Sequence, residues 1–291
     1  MGNQATAIEP GTATRLGKVV SGVIHEIGKD FSARHFSEEM FDGAMDPLLM
    51  VDHFVMTGPT FAPHMHAGIS AVTALFEDSR GAFLNRDSLG HDLALEAGDL
   101  YWLAAAAGAV HEEKPAEGAR IHALQIFVNL PARLKKEPAR TLHVAADSVP
   151  LIEGPQYRVR LVLGSSGGVD GARGTPQDMT LLDGALAPGA RFGHLLPEGR
   201  QAWVYAVGGS LVLHSGGESL TLAAGQASTV AAGAATEIVL ESPDAAHFVL
   251  LAAAPIREPF VKHGPLVMST AAEVRQALAA HAAGKFGRIP N

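Results

Sequence analysis

The sequence predicts an all-β protein made of two β domains in tandem, with one short helix near the C-terminal end. Three observations predict it. Short apolar segments of strand length recur along the chain, punctuated by 32 glycines and 17 prolines, the pattern of a sandwich or barrel. A faint internal repeat is present: Leu93-Ala94-Leu95-Glu96-Ala97-Gly98-Asp99 resembles Leu220-Thr221-Leu222-Ala223-Ala224-Gly225-Gln226, an offset of 225 − 98 = 127 residues. Finally, 291 residues that are 47% hydrophobic and 18% charged provide material for two cores at about 150 residues each.

The elements follow in chain order. Residues 1–14 are polar and are expected to lack fixed structure. Residues 15–135 form the first domain and 136–291 the second, with the Pro/Lys/Glu segment Pro131–Pro138 as linker. Ala71–Leu75 in the first domain occupies the place of Ala202–Ala206 in the second, which supports a duplication. Ile121–Val128, Tyr157–Leu163 and Ser219–Leu222 alternate with period two, as a half-buried strand does. Ala202–Val207 and His247–Ala252 are continuous apolar runs of strand length. Gly164-Ser165-Ser166-Gly167-Gly168 is glycine-rich, but no phosphate-loop lysine follows, so it reads as a loop between strands. Thr270-Ala271-Ala272-Glu273 is a capping box that opens a helix, Val274 and Leu278 mark its apolar face, and Gly284 stops it.

Composition excludes several functions. The formal charge is 22 − 30 = −8, which disfavours direct nucleic-acid binding. The longest basic cluster, Arg133-Leu134-Lys135-Lys136, runs straight into Glu137 and reads as a solvated loop. With no cysteine, disulfides, thiolate metal sites and a cysteine nucleophile are absent. No apolar run reaches the 18 to 20 residues or so needed to span a bilayer, and the start lacks the pattern of a signal peptide. The expectation is a cytoplasmic protein with no membrane partner.

Two short motifs carry chemistry. In a strand, residues i and i+2 share a face, so the imidazoles of His64-Met65-His66 converge. His111-Glu112-Glu113 places His111 and Glu113 in the same relation, close after the apolar stretch Leu100–Ala107. A buried carboxylate beside imidazoles needs a compensating charge, and a cation supplies it. Three nitrogens and one carboxylate oxygen suit Fe(II), Mn, Ni, Cu or Zn. Four protein ligands leave open positions on an octahedral ion, which favours a reactive centre over a structural one. The second half has no equivalent set. His194 alone lies near the place of the first pair, and it reads, with His214, His247 and His263, as a surface or satisfied core histidine. His53, Trp102 and Phe127 likewise read as structural rather than as substrate contacts.

Several separated segments resemble one family. Gly58-x5-His64-x-His66 fits the start of the first cupin motif, and Gly98-Asp99-x2-Trp102 with Gly108-x2-His111-x-Glu113 fits the second. Asp46-Pro47-Leu48-Leu49-Met50-Val51-Asp52-His53-Phe54, Asn85–Gly90, Asn129-Leu130-Pro131-Ala132, Glu258–Val261, His263–Met268 and Gly284-Lys285-Phe286-Gly287 resemble pirin segments in the right order, from about Arg15 to Gly287. The chain therefore resembles the pirins, two-domain members of the cupin superfamily. The resemblance implies two cupin-type (jelly-roll) barrels packed face to face. Iron would sit in the first, held by His64, His66, His111 and Glu113, and the second barrel would be metal-free. It also implies a quercetin dioxygenase-like activity, in which both atoms of O2 enter a flavonol and carbon monoxide leaves, with Glu113 taking the 3-hydroxyl proton. Other pirins are non-enzymatic, iron-dependent regulators that bind a protein partner, and this is the alternative reading. The chain departs from the family after the histidine pair. Ala67-Gly68-Ile69-Ser70 stands where Arg-Gly-Phe-Glu is usual, which removes groups that orient ligands. Ala104–Ala107 replaces a more polar turn and is expected to widen the pocket.

Overall fold

The computed structural model describes residues 15–290, so the stretch 1–14, expected to lack fixed structure, lies outside the described residues. Each half holds a seven-stranded and a four-stranded antiparallel sheet. In the first half the large sheet runs Arg140–Val144, Leu100–Ala104, Ile69–Leu75, Ile121–Asn129, Leu48–Met56, Phe31–Ser37, Val23–Ile27. Its small sheet runs His64–His66, Ala109–Pro115, Phe83–Asp87, Asp92–Leu95. The second half repeats both orders. Its large sheet runs Val20–Ser21, Gln226–Val230, Gln201–Gly208, Ala246–Ala253, Met179–Leu186, Tyr157–Leu163, Leu151–Gly154, and its small sheet Arg191–Leu196, Thr236–Glu241, Ser210–Ser215, Glu218–Ala223. These are two cupin domains. The repeated motif falls on matching outer strands of the small sheets, and both turn glycines, Gly98 and Gly225, adopt φ of +87° and +82°, a region glycine enters without strain.

Three cores explain the hydrophobic patterning. Phe31, Phe54, Phe83, Leu95 and Leu103 fill the first barrel. Val159, Leu161, Phe192, Leu211 and Phe248 fill the second. A third core lies where the outer faces of the two large sheets meet, with Phe36, Val72, Trp102 and Ile126 from one against Trp203, Tyr205, Val249 and Leu251 from the other. Strand Gln201–Gly208 therefore reads as a continuous apolar run. Ala202, Val204 and Ala206 face its own barrel, and Trp203 and Tyr205 face the neighbouring one. Trp102 is a core residue, as the sequence indicated.

The chain crosses between the halves at three places. Val20–Ser21, ahead of the first barrel, pairs with Gln226 and Ala227 of the second. Arg140–Val144 pairs with Leu100–Ala104 of the first large sheet, so the boundary drawn at 135/136 falls ahead of that sheet's edge strand. The last segment leaves the second barrel altogether. Short strands Val261–His263 and Leu266–Met268 pair with each other. Helix α1 (Ala271–Ala282) follows, and Leu266, Met268, Val274, Ala277 and Phe286 form a cluster with Ala67 of the first barrel. The Thr270 side chain caps the helix by accepting from the Glu273 amide at 3.2 Å, and Gly284 follows the C-cap at φ +74°. A twelve-residue helix is marginal alone; docking on the first barrel stabilises it.

Candidate metal centre

The centre is built by two adjacent strands of the first small sheet. In their antiparallel register His64 lies opposite His111, and His66 opposite Ala109. Period-two alternation turns His64, His66 and His111 inward and leaves Met65 and Val110 to pack outward against the C-terminal segment. The ring centroids stand 4.5 to 4.9 Å apart. His111 Nε2 lies 3.1 Å from His64 Nε2 and 3.1 Å from His66 Nε2. His64 donates its Nδ1–H to the Ala62 carbonyl at 3.0 Å, and His66 donates its own to the Pro265 carbonyl at 3.3 Å. Those bonds fix the tautomer that aims each Nε2 lone pair at the shared point. Burial, reinforced by His64, holds His66 down to about 3. Burial also holds His111 well below the ordinary imidazole range, so these rings stand neutral.

Imidazole nitrogens facing one another at this spacing are a donor set in need of an acceptor. Nitrogens about 2.1 Å from a common ion at tetrahedral or octahedral angles sit roughly 3.0 to 3.4 Å apart. The 3.1 Å separations match, so the three histidines fit a divalent transition metal.

Of the four residues expected from the sequence, the structure brings His64, His66 and His111 together, with ligand atoms within 4.8 Å of one another. Glu113 stands outside that group and lines the same cavity. Its Oε1 accepts from Thr73 Oγ1 at 2.5 Å and from Asn85 Nδ2 at 2.8 Å. Burial pushes the Glu113 carboxyl up to about 7, against those two bonds, which lower it.

The cavity measures about 180 Å³ and is mostly aromatic, with Phe31, Phe54, Phe61, Phe83 and Phe127 around His64, His111 and Glu113. Asp52 and Gln125 are the other polar groups on its wall. They are cross-strand partners, as are Gln125 and Thr73, so a polar row crosses the large sheet. Sequence reasoning missed this row, because residues 125 − 73 = 52 and 125 − 52 = 73 positions apart become neighbours only through strand register. Phe127 faces the cavity and meets His66 edge to face at 5.0 Å, whereas the sequence suggested a core residue. His53 turns away from the cavity to the junction between the barrels, where its Nδ1 lies 2.6 Å from Tyr205 Oη. Ala104 and Ala106 line a different cavity, bordered by Leu130, Leu134 and Pro176, so the alanine run does not widen the metal pocket. Ala67 and Ser70 are fully buried. The small side chain of Ala67, which bridges to Leu266, lets the C-terminal segment close over the strand.

In the second barrel, strand Arg191–Leu196 takes the place of His64–His66 in the small sheet. His194 sits there between Phe192 and Leu196, facing Ile238 and Leu240 of the next strand. Its Nδ1 bonds Ser166 Oγ at 2.9 Å, and burial lowers its pKa to about 4. Apolar side chains fill the space that ligands occupy in the first barrel, and no second converging group of metal-capable residues occurs among the described residues.

Comparison with known proteins agrees with this architecture. Residues 6–128 match the family model described as Pirin, and residues 181–287 match the Pirin C-terminal cupin domain. A pirin-like protein of Solanum lycopersicum is 32% identical over 84% of this chain and 82% of its own length. A putative quercetin 2,3-dioxygenase of Pseudomonas aeruginosa is 31% identical over 80% of this chain and 84% of its own. The crystal structure of a quercetin 2,3-dioxygenase from Acinetobacter baumannii superposes with a TM-score of 0.84 at 25% identity, covering 96% of this chain and 100% of that one. No described helix is long and apolar enough to cross a membrane. With its two cupin domains in the order of both matched models, the chain belongs to the pirin family.

Proposed function

We propose that this chain is a metal-dependent dioxygenase that cleaves quercetin or a related flavonol with O2, using Fe(II) held by His64, His66, His111 and Glu113. The observation that carries the reading is the convergence of three imidazoles at the wall of an aromatic cavity that also contains a buried carboxylate. The names of the Pseudomonas and Acinetobacter relatives support the substrate class. A divalent ion held by these residues would supply Lewis acidity toward a substrate hydroxyl.

The residues divide the remaining work. The phenylalanines offer flat apolar surface to aromatic rings and exclude water. Thr73 and Asn85 fix Oε1 of Glu113, which leaves Oε2 to accept the proton of a substrate hydroxyl. At about 180 Å³ the cavity is smaller than the 300 Å³ or so typical of drug-sized ligands. The reacting ring therefore enters first, and the far ring lies toward the mouth at Phe61, which is 40% exposed.

Anaerobic reconstitution with Fe(II), followed by quercetin and O2, tests the proposal. One metal per chain, oxygen uptake matched to loss of flavonol absorbance, and inactivity of Glu113→Gln are the expected results. One metal per chain without flavonol loss would overturn the substrate. No bound metal would overturn the centre.

A further inference from the structure

The basic cluster Arg133–Lys136 reads from sequence as solvated, yet Lys135 is 2% exposed. Its Nζ donates to three oxygens: Asn129 Oδ1 at 2.6 Å, the Gly68 carbonyl at 2.8 Å and the Val267 carbonyl at 2.8 Å. Burial lowers the ammonium to about 8, so at neutral pH it still holds the three protons its acceptors use. Gly68 lies two residues beyond His66, and Val267 two residues beyond Pro265, the carbonyl that orients the His66 ring. One buried cation thus ties the strand carrying two histidines to the C-terminal segment.

Other contacts join the same two pieces. Val267 donates its amide to the Ala67 carbonyl at 2.9 Å, and Leu266 forms a parallel bridge with Ala67. Met65 and Val110, the outward neighbours of the three histidines, pack on the cluster that includes Met268, Val274 and Phe286. Phe286 lies so close to Gly108 that a Cβ at Gly108 would come within 2.1 Å of its ring. The histidine strand is only three residues long. Its outer support comes from a segment that follows the second barrel in sequence.

We propose that Lys135 is a positioning residue for the metal centre: it latches the C-terminal segment 261–290 onto the His64–His66 strand, so that metal occupancy and docking of that segment are linked. A docked segment holds Pro265 O on His66 Nδ1 and keeps Nε2 aimed at the ion. By reciprocity, an ion that requires the aligned ring stabilises docking by the same factor. The proposal rests on the three histidines being the metal site.

The test uses the full-length protein and Co(II), which reports ligand geometry through its visible absorption. Lys135→Met keeps an unbranched apolar stem, one atom shorter, and removes the donors. It should weaken Co(II) at least tenfold, the scale on which outer supports of ligands act, and alter the absorption bands at saturation. Hydrogen exchange at the Val267 amide should slow at least tenfold on Co(II) binding in the wild type and respond less than twofold in Lys135→Met. Phe286→Ala, which loosens the segment without touching Lys135, should weaken Co(II) at least threefold. It keeps the test decisive if Lys135→Met does not fold. Affinity within twofold of wild type in a folded Lys135→Met, or in Phe286→Ala when Lys135→Met is unfolded, overturns the latch. So does Val267 exchange that ignores the metal in the wild type. A wild-type protein that binds no Co(II) overturns the metal site, and the latch with it.

Discussion

At the scale of single residues, the centre depends on small side chains as much as on ligands. Gly68 adopts φ +77°, and a Cβ there would lie 1.9 Å from the Val267 carbonyl oxygen. That oxygen also accepts from Lys135, so it cannot withdraw without lifting the C-terminal segment. Gly68→Ala should cost about 3 kcal/mol in urea unfolding, combining left-handed strain with a backbone clash, and should weaken metal binding too. A loss under about 1 kcal/mol would mean that the segment shifts freely. Ligand truncations behave differently. His64 is partly exposed, so His64→Ala should lose metal while its circular dichroism spectrum stays that of the wild type. Glu113→Ala should also lower bound metal. Unchanged metal content in His64→Ala would remove the proposed centre, and unchanged content in Glu113→Ala would restrict the ligand set to the histidines.

At the scale of elements, strands were legible wherever local pattern fixed them. Tyr157–Leu163 has the bounds that its alternation indicates, and the capping box marks the start of α1. The histidine pair and His111 were legible because period two places i and i+2 on one face. What the sequence could not show depends on contacts between distant segments. Lys135 looked solvated because its acceptors come from residues 68, 129 and 267. The edge strand Val20–Ser21 was invisible as a partner because its sheet belongs to the far half of the sequence, and Arg140–Val144 because it pairs with Leu100–Ala104 and not with the strand that precedes it. These exchanges predict how fragments behave. A chain of residues 15–135 lacks both the edge strand Arg140–Val144 and the segment that covers Ala67, and so exposes unpaired strand edge and apolar surface. It should aggregate, or bind Co(II) at least tenfold more weakly than the whole protein, by gel filtration and metal titration. A monomeric fragment with full affinity would show that the first barrel is self-sufficient.

At the scale of the whole molecule, the large sheets meet across an apolar core crossed by a polar chain through His53. His53 Nδ1 lies 2.6 Å from Tyr205 Oη across the junction, and its Nε2 faces His122 Nε2 at 2.5 Å. His122 Nδ1 donates to Asp78 at 2.6 Å. Burial pushes His53 down to about 3, with His122, His247 and Arg34 adding to the shift and Asp78 opposing it. The sign follows from comparing the two states. Between about pH 6.5 and pH 3 the unfolded chain carries a proton on His53 that the folded protein refuses. Stability from this group is complete above pH 6.5 and falls as pH drops through that window. From pH 7 to pH 5 the loss is about 2 kcal/mol. His194, lowered to about 4 by burial, pulls the same way in the second barrel. His35 opposes them: its bond to Asp52 raises its pKa, and the stability it gains is complete below pH 6.5 and fades above. His53→Gln removes one titration, so its stability should fall by about 2 kcal/mol less than that of the wild type between pH 7 and pH 5. Urea unfolding at both pH values, with each protein at the same metal occupancy, measures that difference. Parallel profiles would show that the junction admits the proton without strain, and acid sensitivity would then have to come from within the barrels, with His194 the first residue to replace.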